Sequence, residues 1–298
     1  MKTLVVTDIH LMEEELPYTK EGVQNSNIIL DELIRLVSMD REIGLIVMLG
    51  DITNDQPKKT TTKMLWENKL DKLKRIVNSR HREMPDIKYW GRNGQVGDVR
   101  NRLVSIKGNH DYVNNDRWNK KPKYFDELVE KDILFNPGAL EFTDNGKTYH
   151  YQLRNFGEGD KTLQYEAVNA DKVVVFAHDW YTSRGFPEGY LKWSGLGRVQ
   201  YDIEQSMSGA DVLIQGHSHS RYHPFELSDL RQVSNLPKQR DKLTVYIPGT
   251  NARTPNTNSM CRNVGYNLII DTNDFYIGDV FIPLKPYDLY FDMERIKN

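Results

Sequence analysis

Short apolar runs alternate with amphipathic segments in the first part of the chain. Leu4–Val6 is an apolar run that predicts a buried strand ending before Asp8. Residues 27–38 carry apolar side chains at helical spacing, and residues 45–49 form a second apolar run that stops just before Asp51. A strand, a helix and a strand in this order predict a βαβ unit and therefore parallel pairing.

Residues 55–100 predict an insertion before a third strand at 103–106. Within the insertion, residues 64–77 have helical spacing and several lysines. Residues 81–98 are polar and contain glycines, which predicts a surface loop. We therefore expect one domain over residues 1–298 that carries this insertion.

The second half of the chain is dominated by short apolar runs that predict strands. The pattern indicates a short helix at 124–134, a hairpin within 141–164 that turns at Asp144-Asn145-Gly146, and strands at 173–176, 212–214, 244–247, 267–270 and 276–282. Residues 226–242 are polar and charged, and they predict a loop. Together the two halves predict an α/β domain.

Polar side chains of metal-ligand type follow five of the predicted strands. They are Asp8 and His10, Asp51, Asn109 and His110, His178, and His217 and His219. Any one of them alone could be a helix cap or a satisfied buried residue. Because α/β sheets form their ligand sites beyond the carboxyl ends of strands, five such clusters together predict one shared site.

The residue types indicate the chemistry of that site. Carboxylate, imidazole and amide oxygen ligands together suit Mn²⁺, Fe or Zn²⁺ better than Ca²⁺, and Mn²⁺ is the first candidate. Asp51 is the candidate to bridge two ions, which at about 3.5–4 Å apart could clamp a phosphate and generate a hydroxide. His110 could protonate the leaving oxygen, and Asp111 could orient its imidazole. We therefore expect a dinuclear phosphoesterase.

Composition indicates the cellular compartment of the protein but does not identify its substrate. The 298 residues carry a net charge of −2, which gives no global attraction to nucleic acid or membrane. Cys261 is the single cysteine, which excludes an intramolecular disulfide and favours a reducing compartment. The sequence predicts neither a signal peptide nor a membrane span, so we expect a cytoplasmic protein. No pattern indicates an oligomeric state.

The strand-end motifs resemble the signature of the calcineurin-like metallophosphoesterases. In chain order they read Asp8-Ile9-His10, Gly50-Asp51-Ile52-Thr53-Asn54, Gly108-Asn109-His110-Asp111, His178 and Gly216-His217-Ser218-His219. The resemblance implies a four-layer α/β/β/α sandwich of two mixed β-sheets flanked by helices. It also implies one metal ion bound by Asp8, His10, Asp51 and His219, a second bound by Asp51, Asn109, His178 and His217, and His110 beside the scissile phosphate.

Some motif residues differ from those of the family's protein phosphatases, and these differences indicate which branch of the superfamily the chain resembles. The protein Ser/Thr phosphatases of the superfamily carry Asp-Arg-Gly after the second motif and Glu after Asn-His. This chain has Thr53-Asn54-Asp55 and Asp111 at those places. The Gly-Asn-His-Asp and Gly-His-Ser-His forms look more like the phosphodiesterase branches, which include cyclic-nucleotide phosphodiesterases and DNA-end repair nucleases. We therefore expect a phosphodiester substrate, with a protein phosphatase as a weaker alternative.

Three interpretations of the substrate stay open. A small phosphate ester or nucleotide suits the compact length and near-neutral charge. A nuclease would use the basic side chains of the insertion and the aromatic side chains that follow His178, which are Lys58, Lys59, Lys63, Lys69, Lys72, Lys74, Arg75, Arg80 and Arg82, and Trp180, Tyr181, Phe186, Tyr190 and Trp193. A solvated helix face and a packed loop would account for the same residues. A non-catalytic scaffold would lack metal ligands, and all seven proposed ligands are present.

Overall fold

A computed structural model describes residues 1–11, 20–53, 57, 59–108, 110–111, 124–156, 170–178, 210–217, 222–226, 244–248 and 264–283. The strands are β1 (Lys2–Val6), β2 (Ile43–Met48), β3 (Ile87–Trp90), β4 (Val96–Asp98), β5 (Leu103–Ser105), β6 (Ala139–Asp144), β7 (Lys147–Arg154), β8 (Lys172–Ala177), β9 (Val212–Gln215), β10 (Tyr222–Glu226), β11 (Thr244–Ile247), β12 (Val264–Asp271) and β13 (Tyr276–Pro283). The helices are α1 (Lys20–Met39), α2 (Thr60–Asn78) and α3 (Tyr124–Glu130), with a 3-10 turn at His81–Glu83.

The strands form two mixed sheets. The first has the order β13-β12-β1-β2-β5, in which β1, β2 and β5 are parallel and β12 and β13 are antiparallel to their neighbours. The second has the order β10-β11-β9-β8-β7-β6-β3-β4, in which β7, β8, β9 and β11 are parallel. The predicted βαβ unit is confirmed, because α1 connects the parallel strands β1 and β2.

Both faces of the first sheet are buried, because successive side chains of its strands point alternately into two hydrophobic clusters. On one face, Leu4 and Val6 join a cluster with Leu33 of α1, Trp66 of α2 and Phe125 of α3, and all five side chains are buried. Successive side chains of a strand point to opposite faces, so a fully buried sheet reads as a continuous apolar run. This is why Leu4–Val6 lacks a polar position.

The other face of the first sheet packs against the second sheet. Val5 and Val47 lie in one cluster with Tyr151, Val174 and Ile214, which come from β7, β8 and β9. The fold is therefore an α/β sandwich of two mixed sheets with helices, as predicted. Within the described residues the helices cover the outer face of the first sheet, and the second helical layer stays a prediction.

Residues 81–98 differ from the predicted surface loop. Ile87–Trp90 pairs with β6 and Val96–Asp98 pairs with β3, so this segment forms the end of the second sheet. Ile87 is buried in the core between the sheets, whereas Lys88 is exposed. The alternation covers too few residues to stand out beside the polar, glycine-containing turn that follows it. The wider prediction of an insertion stays a prediction.

The remaining predicted elements fall close to their expected places. The hairpin of β6 and β7 turns at Asn145 and Gly146, whose φ angles of 50° and 75° suit a two-residue turn. α3 ends at Glu130, shorter than predicted, and Asp132 follows with a φ of 54°. The predicted loop at 226–242 lies almost entirely outside the described residues. No helix in the described ranges has the length and apolar character to cross a membrane.

Candidate metal centre

Five strand ends meet at one end of the sandwich. The first sheet supplies residues after β1, β2 and β5, and the second supplies residues after β8 and β9. The side chains brought together are Asp8, His10, Asp51, His110, His178 and His217. The site therefore lies between the carboxyl ends of two sheets rather than along one sheet. The other two candidates, Asn109 and His219, lie outside the described residues.

Asp51 occupies the centre of this group. Its Oδ2 atom lies 3.4 Å from Nε2 of His10 and 3.3 Å from Nε2 of His178. Its Oδ1 atom accepts the backbone N–H of His110 at 2.8 Å. The side chain is buried, and no hydrogen bond of good geometry from the described residues reaches Oδ2. A buried carboxylate oxygen that faces two imidazole nitrogens is a suitable ligand for a cation.

Two groups of three ligand atoms share Asp51. His10, Asp51 and His110 form one group, and Asp51, His178 and His217 form the other. Within each group the ligand atoms all lie within 4.8 Å of one another. His10 and the pair His178 and His217, which the resemblance assigns to different ions, fall in different groups, and the first group also contains His110, which the resemblance places beside the phosphate. The assignment of ligands to ions stays a prediction. Nitrogen and carboxylate donors of this kind fit the divalent transition metals that the resemblance implies.

Strained backbone is concentrated at these residues. Asp8, His10, Asp51 and His217 have φ angles of 47°, 48°, 48° and 64°, in the left-handed region. For a residue other than glycine, a sparsely populated conformation costs about 1–3 kcal/mol. The strand ends therefore use an unfavourable conformation to turn these side chains toward one another.

Two glycines let the turns of the first sheet touch. A Cβ atom at Gly108 would overlap the backbone nitrogen and Oδ1 of Asp51. A Cβ atom at Gly50, which has a φ of 89°, would overlap Gly108 N and lie 2.9 Å from Nδ1 of His178. A larger residue at either place would separate Asp51 from the residues around it.

Backbone groups orient the imidazoles of the second sheet. Nδ1 of His178 lies 2.8 Å from the carbonyl oxygen of Leu49, and since a carbonyl can only accept, Nδ1 carries the proton. Nε2 of His178 then faces Asp51 and lies 3.2 Å from Nδ1 of His217. The backbone N–H of His217 donates to Asp8 Oδ2 at 3.1 Å. A hydrogen bond on the far ring nitrogen is the usual way to orient a metal-binding histidine.

Burial and neighbouring charges have opposing effects on the pKa of Asp51 and on the pKa of His178, and in both cases the charges outweigh burial. Burial favours a raised pKa for Asp51, but His178, then His10 and His110, outweigh it and hold that pKa well below its usual range. Burial favours a lowered pKa for His178, but the nearby negative charge of Asp51 outweighs it and raises the pKa to about 9. Ligands must be deprotonated to bind a metal, so metal binding here would release protons.

Asp111 accepts several hydrogen bonds from the two turns beside it. Its carboxylate accepts the backbone N–H groups of Gly108 at 2.9 Å and Thr53 at 3.1 Å, and it also accepts from Ile52 N and the Thr53 hydroxyl. It therefore ties two turns together, because these buried donors need an acceptor. Its role in orienting the His110 imidazole stays a prediction. Burial, and then the charge of Asp51, raises the pKa of Asp111 to about 7.

The comparison with known families decides what this centre is. The family model that describes the calcineurin-like phosphoesterases matches residues 1–221 of this chain. The chain belongs to the calcineurin-like phosphoesterase family. It is therefore a metal-dependent phosphoesterase. No curated protein matches the chain. One similar solved structure is titled as a novel archaeal phosphodiesterase, with 11% identity and a TM-score of 0.38 over 95% of this chain and 100% of that one.

Two residues of this phosphoesterase site were not found from the sequence. Thr7 donates its hydroxyl to Asp8 Oδ2. The Phe156 ring lies 6.2 Å from the His178 ring and 6.4 Å from the His217 ring, measured between centroids. Phe156 directly follows Asn155 at the end of β7, so a search for apolar as well as polar residues at strand ends would have found it.

The basic side chains of α2 are largely engaged in ion pairs. The pairs are Lys63 with Glu127, Lys69 with Asp31, and Lys74 and Arg75 with Asp71. The Arg80 guanidinium donates to the carbonyls of Val37, Asp40 and Ile43, at the end of α1 and the start of β2. These contacts favour the interpretation of a solvated, charge-balanced face. The aromatic residues at 180–193 lie outside the described residues.

A cavity of about 850 Å³ lies apart from the metal centre, beside β3, β4 and β6. Its charged lining residues are Asp86, Lys88, Asp98, Arg100, Arg102 and Glu141. Lys88 is opposite Asp98 on one neighbouring strand and opposite Glu141 on the other, so the charges balance locally. None of the candidate ligands lines this cavity.

Proposed function

We propose that this calcineurin-like phosphoesterase hydrolyses a phosphodiester with two divalent metal ions. The observation that carries the proposal is the position of Asp51, whose buried carboxylate belongs to both groups of ligand atoms. A carboxylate shared by two groups is what a bridging ligand requires. The form of the motifs in the sequence supports the diester over the monoester.

The family resemblance implies the ligand sets, and the two groups of ligand atoms that share Asp51 support them. Asp8, His10, Asp51 and His219 would hold one ion, and Asp51, Asn109, His178 and His217 would hold the other. Mn²⁺ is the first candidate, with Fe and Zn²⁺ as alternatives. When bound, such ions supply Lewis-acid polarisation of the phosphate and activation of water.

His110 is the proposed acid of the reaction. Its ring lies 4.9 Å from the His10 ring, measured between centroids, and its backbone is fixed by the hydrogen bond to Asp51. The side chain is only partly buried, so it can reach a bound ester and give a proton to the leaving oxygen. Asp111 would act indirectly, by holding the Thr53 and Gly108 turns in place.

The second candidate function is cleavage of DNA or RNA. It is supported by the form of the motifs, which are shared by nucleotide phosphodiesterases and repair nucleases. The ion pairs on α2 weigh against it, because they leave less positive charge for a phosphate backbone. A small ester or nucleotide is therefore the preferred substrate, and the cytoplasm, expected from the sequence, is the proposed setting.

The test is hydrolysis of bis-p-nitrophenyl phosphate and of p-nitrophenyl phosphate, each with Mn²⁺ and with EDTA. We expect faster cleavage of the diester and loss of activity with EDTA. Faster cleavage of the monoester would contradict the diester assignment and favour a phosphatase. Cleavage of neither ester by protein with verified bound metal would favour the scaffold interpretation. Single-stranded and duplex DNA would then separate a nuclease from an enzyme for small substrates.

A further inference from the structure

Asn155 joins the two sheets beside the metal centre. It follows the last residue of β7, and its Oδ1 atom accepts the backbone N–H of Lys107 at 2.8 Å. The next residue, Phe156, donates its backbone N–H to the Lys107 carbonyl at 2.8 Å. Lys107 directly precedes Gly108, where the strand-end motif after β5 begins. The second sheet thus holds both backbone polar groups of a residue that leads into the centre.

Two side chains hold the Asn155 amide in one orientation. Arg92 Nη2 donates to Asn155 Oδ1 at 3.1 Å, and Asn136 Nδ2 donates to it at 3.0 Å. Arg92 Nε also donates to Asn136 Oδ1 at 2.9 Å. Because a guanidinium and a backbone N–H can only donate, the Asn155 atom that faces them must be the oxygen. Only 9% of Asn155 is exposed, so water competes weakly for these bonds.

The residue after Asn155 contacts two candidate ligands. The Phe156 ring is nearly parallel to the His217 ring, with an angle of 29°, and meets the His178 ring edge-on, with an angle of 79°. A ring fixed against two imidazoles restricts the orientations that they can adopt. The position of the Phe156 ring depends on its backbone, which is bonded to Lys107.

We propose that Asn155 is a positioning residue of the metal centre. It fixes the turn that begins at Gly108 and, through Phe156, the orientation of His178 and His217. Arg92, from the turn between β3 and β4, supports it and links the segment at 55–100 to the site. This inference rests on the proposed function. Outer partners of metal ligands typically change metal affinity by about 10–100-fold, although they never touch the ion.

The experiment compares three variants of the full chain. Asn155→Leu removes the acceptor at similar size, and Asn155→Asp keeps an acceptor beside Arg92. Asn101→Leu is the matched control, because Asn101 is also buried and accepts the Leu103 N–H at 3.0 Å, at the opposite end of β5. Mn²⁺ affinity is measured by calorimetry on the metal-free protein, which needs no substrate. Melting temperature and the kcat and KM for the diester are measured beside it.

We expect Asn155→Leu and Asn101→Leu to lower the melting temperature by similar amounts. Only Asn155→Leu is expected to weaken Mn²⁺ binding, by about 10–100-fold, with the loss of activity in kcat rather than KM. Asn155→Asp is expected to restore most of the affinity. If Asn155→Leu does not fold, Arg92→Gln at a half-buried position should weaken Mn²⁺ binding in the same direction by a smaller factor.

Equal Mn²⁺ affinity of the Asn155→Leu and Asn101→Leu variants would overturn the proposal, because Asn155 would then be a structural residue only. Failure of Asn155→Asp to recover affinity would also overturn it. Wild-type protein that binds Mn²⁺ but cleaves neither ester would overturn the proposed function alone, since the affinities still decide the role of Asn155. Wild-type protein that binds none of Mn²⁺, Fe²⁺ and Zn²⁺ would overturn both.

Discussion

The two ends of the sandwich use the same backbone conformation for different purposes. At the end opposite the metal centre, left-handed residues such as Asn145 and Gly146 lie in a hairpin turn, where such residues are ordinary. At the metal centre, the left-handed residues include Asp51 and His217, whose side chains converge on other polar side chains. At the first end the left-handed conformation reverses the direction of the chain, and at the second it orients the candidate ligands.

The electrostatic environments of the two ends differ as well. Far from the centre, Lys2 lies 3.1 Å from Asp40 and 2.6 Å from Glu42, so charges of opposite sign meet in partial contact with water. At the centre, Asp51 and His178 are buried, and Oδ2 of Asp51 lies 3.3 Å from Nε2 of His178. The charges far from the centre form ion pairs near the surface, whereas the buried carboxylate and imidazole of the centre are donors of the kind that divalent transition metals take.

The largest effect is expected from Asp51→Asn. The change keeps the size and the acceptor for His110 N–H but removes the charge that both groups share. We expect Mn²⁺ binding to be lost and turnover to fall to the level of EDTA-treated wild-type protein, measured by calorimetry and by the diester assay.

The matched control for Asp51→Asn is Asp132→Asn. Asp132 has a similar φ of 54° but is exposed and lies after α3. We expect this control to keep wild-type activity and metal content. Full activity of Asp51→Asn with both metals bound would refute the bridging role.

The next effect is expected from His110→Ala. The ring lies on the partly exposed side of the centre, and the hydrogen bond to Asp51 uses the backbone, which alanine keeps. We expect metal content to persist and kcat to fall by about 10²-fold or more for an ester with a poor leaving group, as for a lost general acid. An ester with a good leaving group should lose less. Equal losses for both esters would indicate a role in phosphate binding instead.

A smaller effect on stability is expected from Gly50→Ala, and Gly146→Ala makes the comparison direct. Both glycines have a positive φ, so both changes add about 1–2 kcal/mol of strain. Only at Gly50 does the new Cβ overlap another backbone, which adds about 1–3 kcal/mol. At Gly146 no atom lies within 4 Å of it. Urea unfolding should therefore show a larger loss for Gly50→Ala, and only Gly50→Ala should reduce activity. Equal losses for both variants would mean that the turn at Gly50 can shift without harm.

Structure could be predicted from the sequence where a local structural requirement is met by only a few residue types. Leu4–Val6 and residues 45–49 are apolar without interruption because both faces of the first sheet are buried, so their strands could be predicted. The residues after them could be recognised as candidate ligands because Asp and His at several strand ends are donors to the same kinds of metal ion. The turn at Asn145 and Gly146 was predicted because few other residues adopt its backbone angles.

Other features depend on contacts between distant segments and left no local pattern. β3 is four residues long, and its place in the second sheet is set by pairing with β6, some fifty residues later. Asp111 adjoins His110 in the sequence, but its carboxylate serves the buried N–H groups of Gly108 and Thr53. The role of Phe156 depends on ring contacts with two histidines that no periodicity reveals.

Two buried histidines, one near each end of the sandwich, have pKa values shifted in opposite directions. His178 at the centre faces Asp51, which raises its pKa to about 9 despite burial. His150 in β7, nearer the opposite end, lies 3.9 Å from Glu141 but is governed by burial, which lowers its pKa to about 4. Burial disfavours the charged imidazole in both cases, and a close carboxylate reverses the outcome in only one.

The smallest effect is therefore expected from acid acting on His150. Between pH 6.5 and about 4 the unfolded chain binds a proton that the folded protein excludes, so stability is complete above pH 6.5 and falls as the pH is lowered toward 4. The loss amounts to about 2–3 kcal/mol at the lower limit. His150→Leu should flatten this part of the profile in urea unfolding of the metal-free protein. Gln152→Leu, a buried neutral neighbour on the same face of β7, should leave the slope unchanged, and an equal slope in both variants would assign the acid sensitivity to other groups.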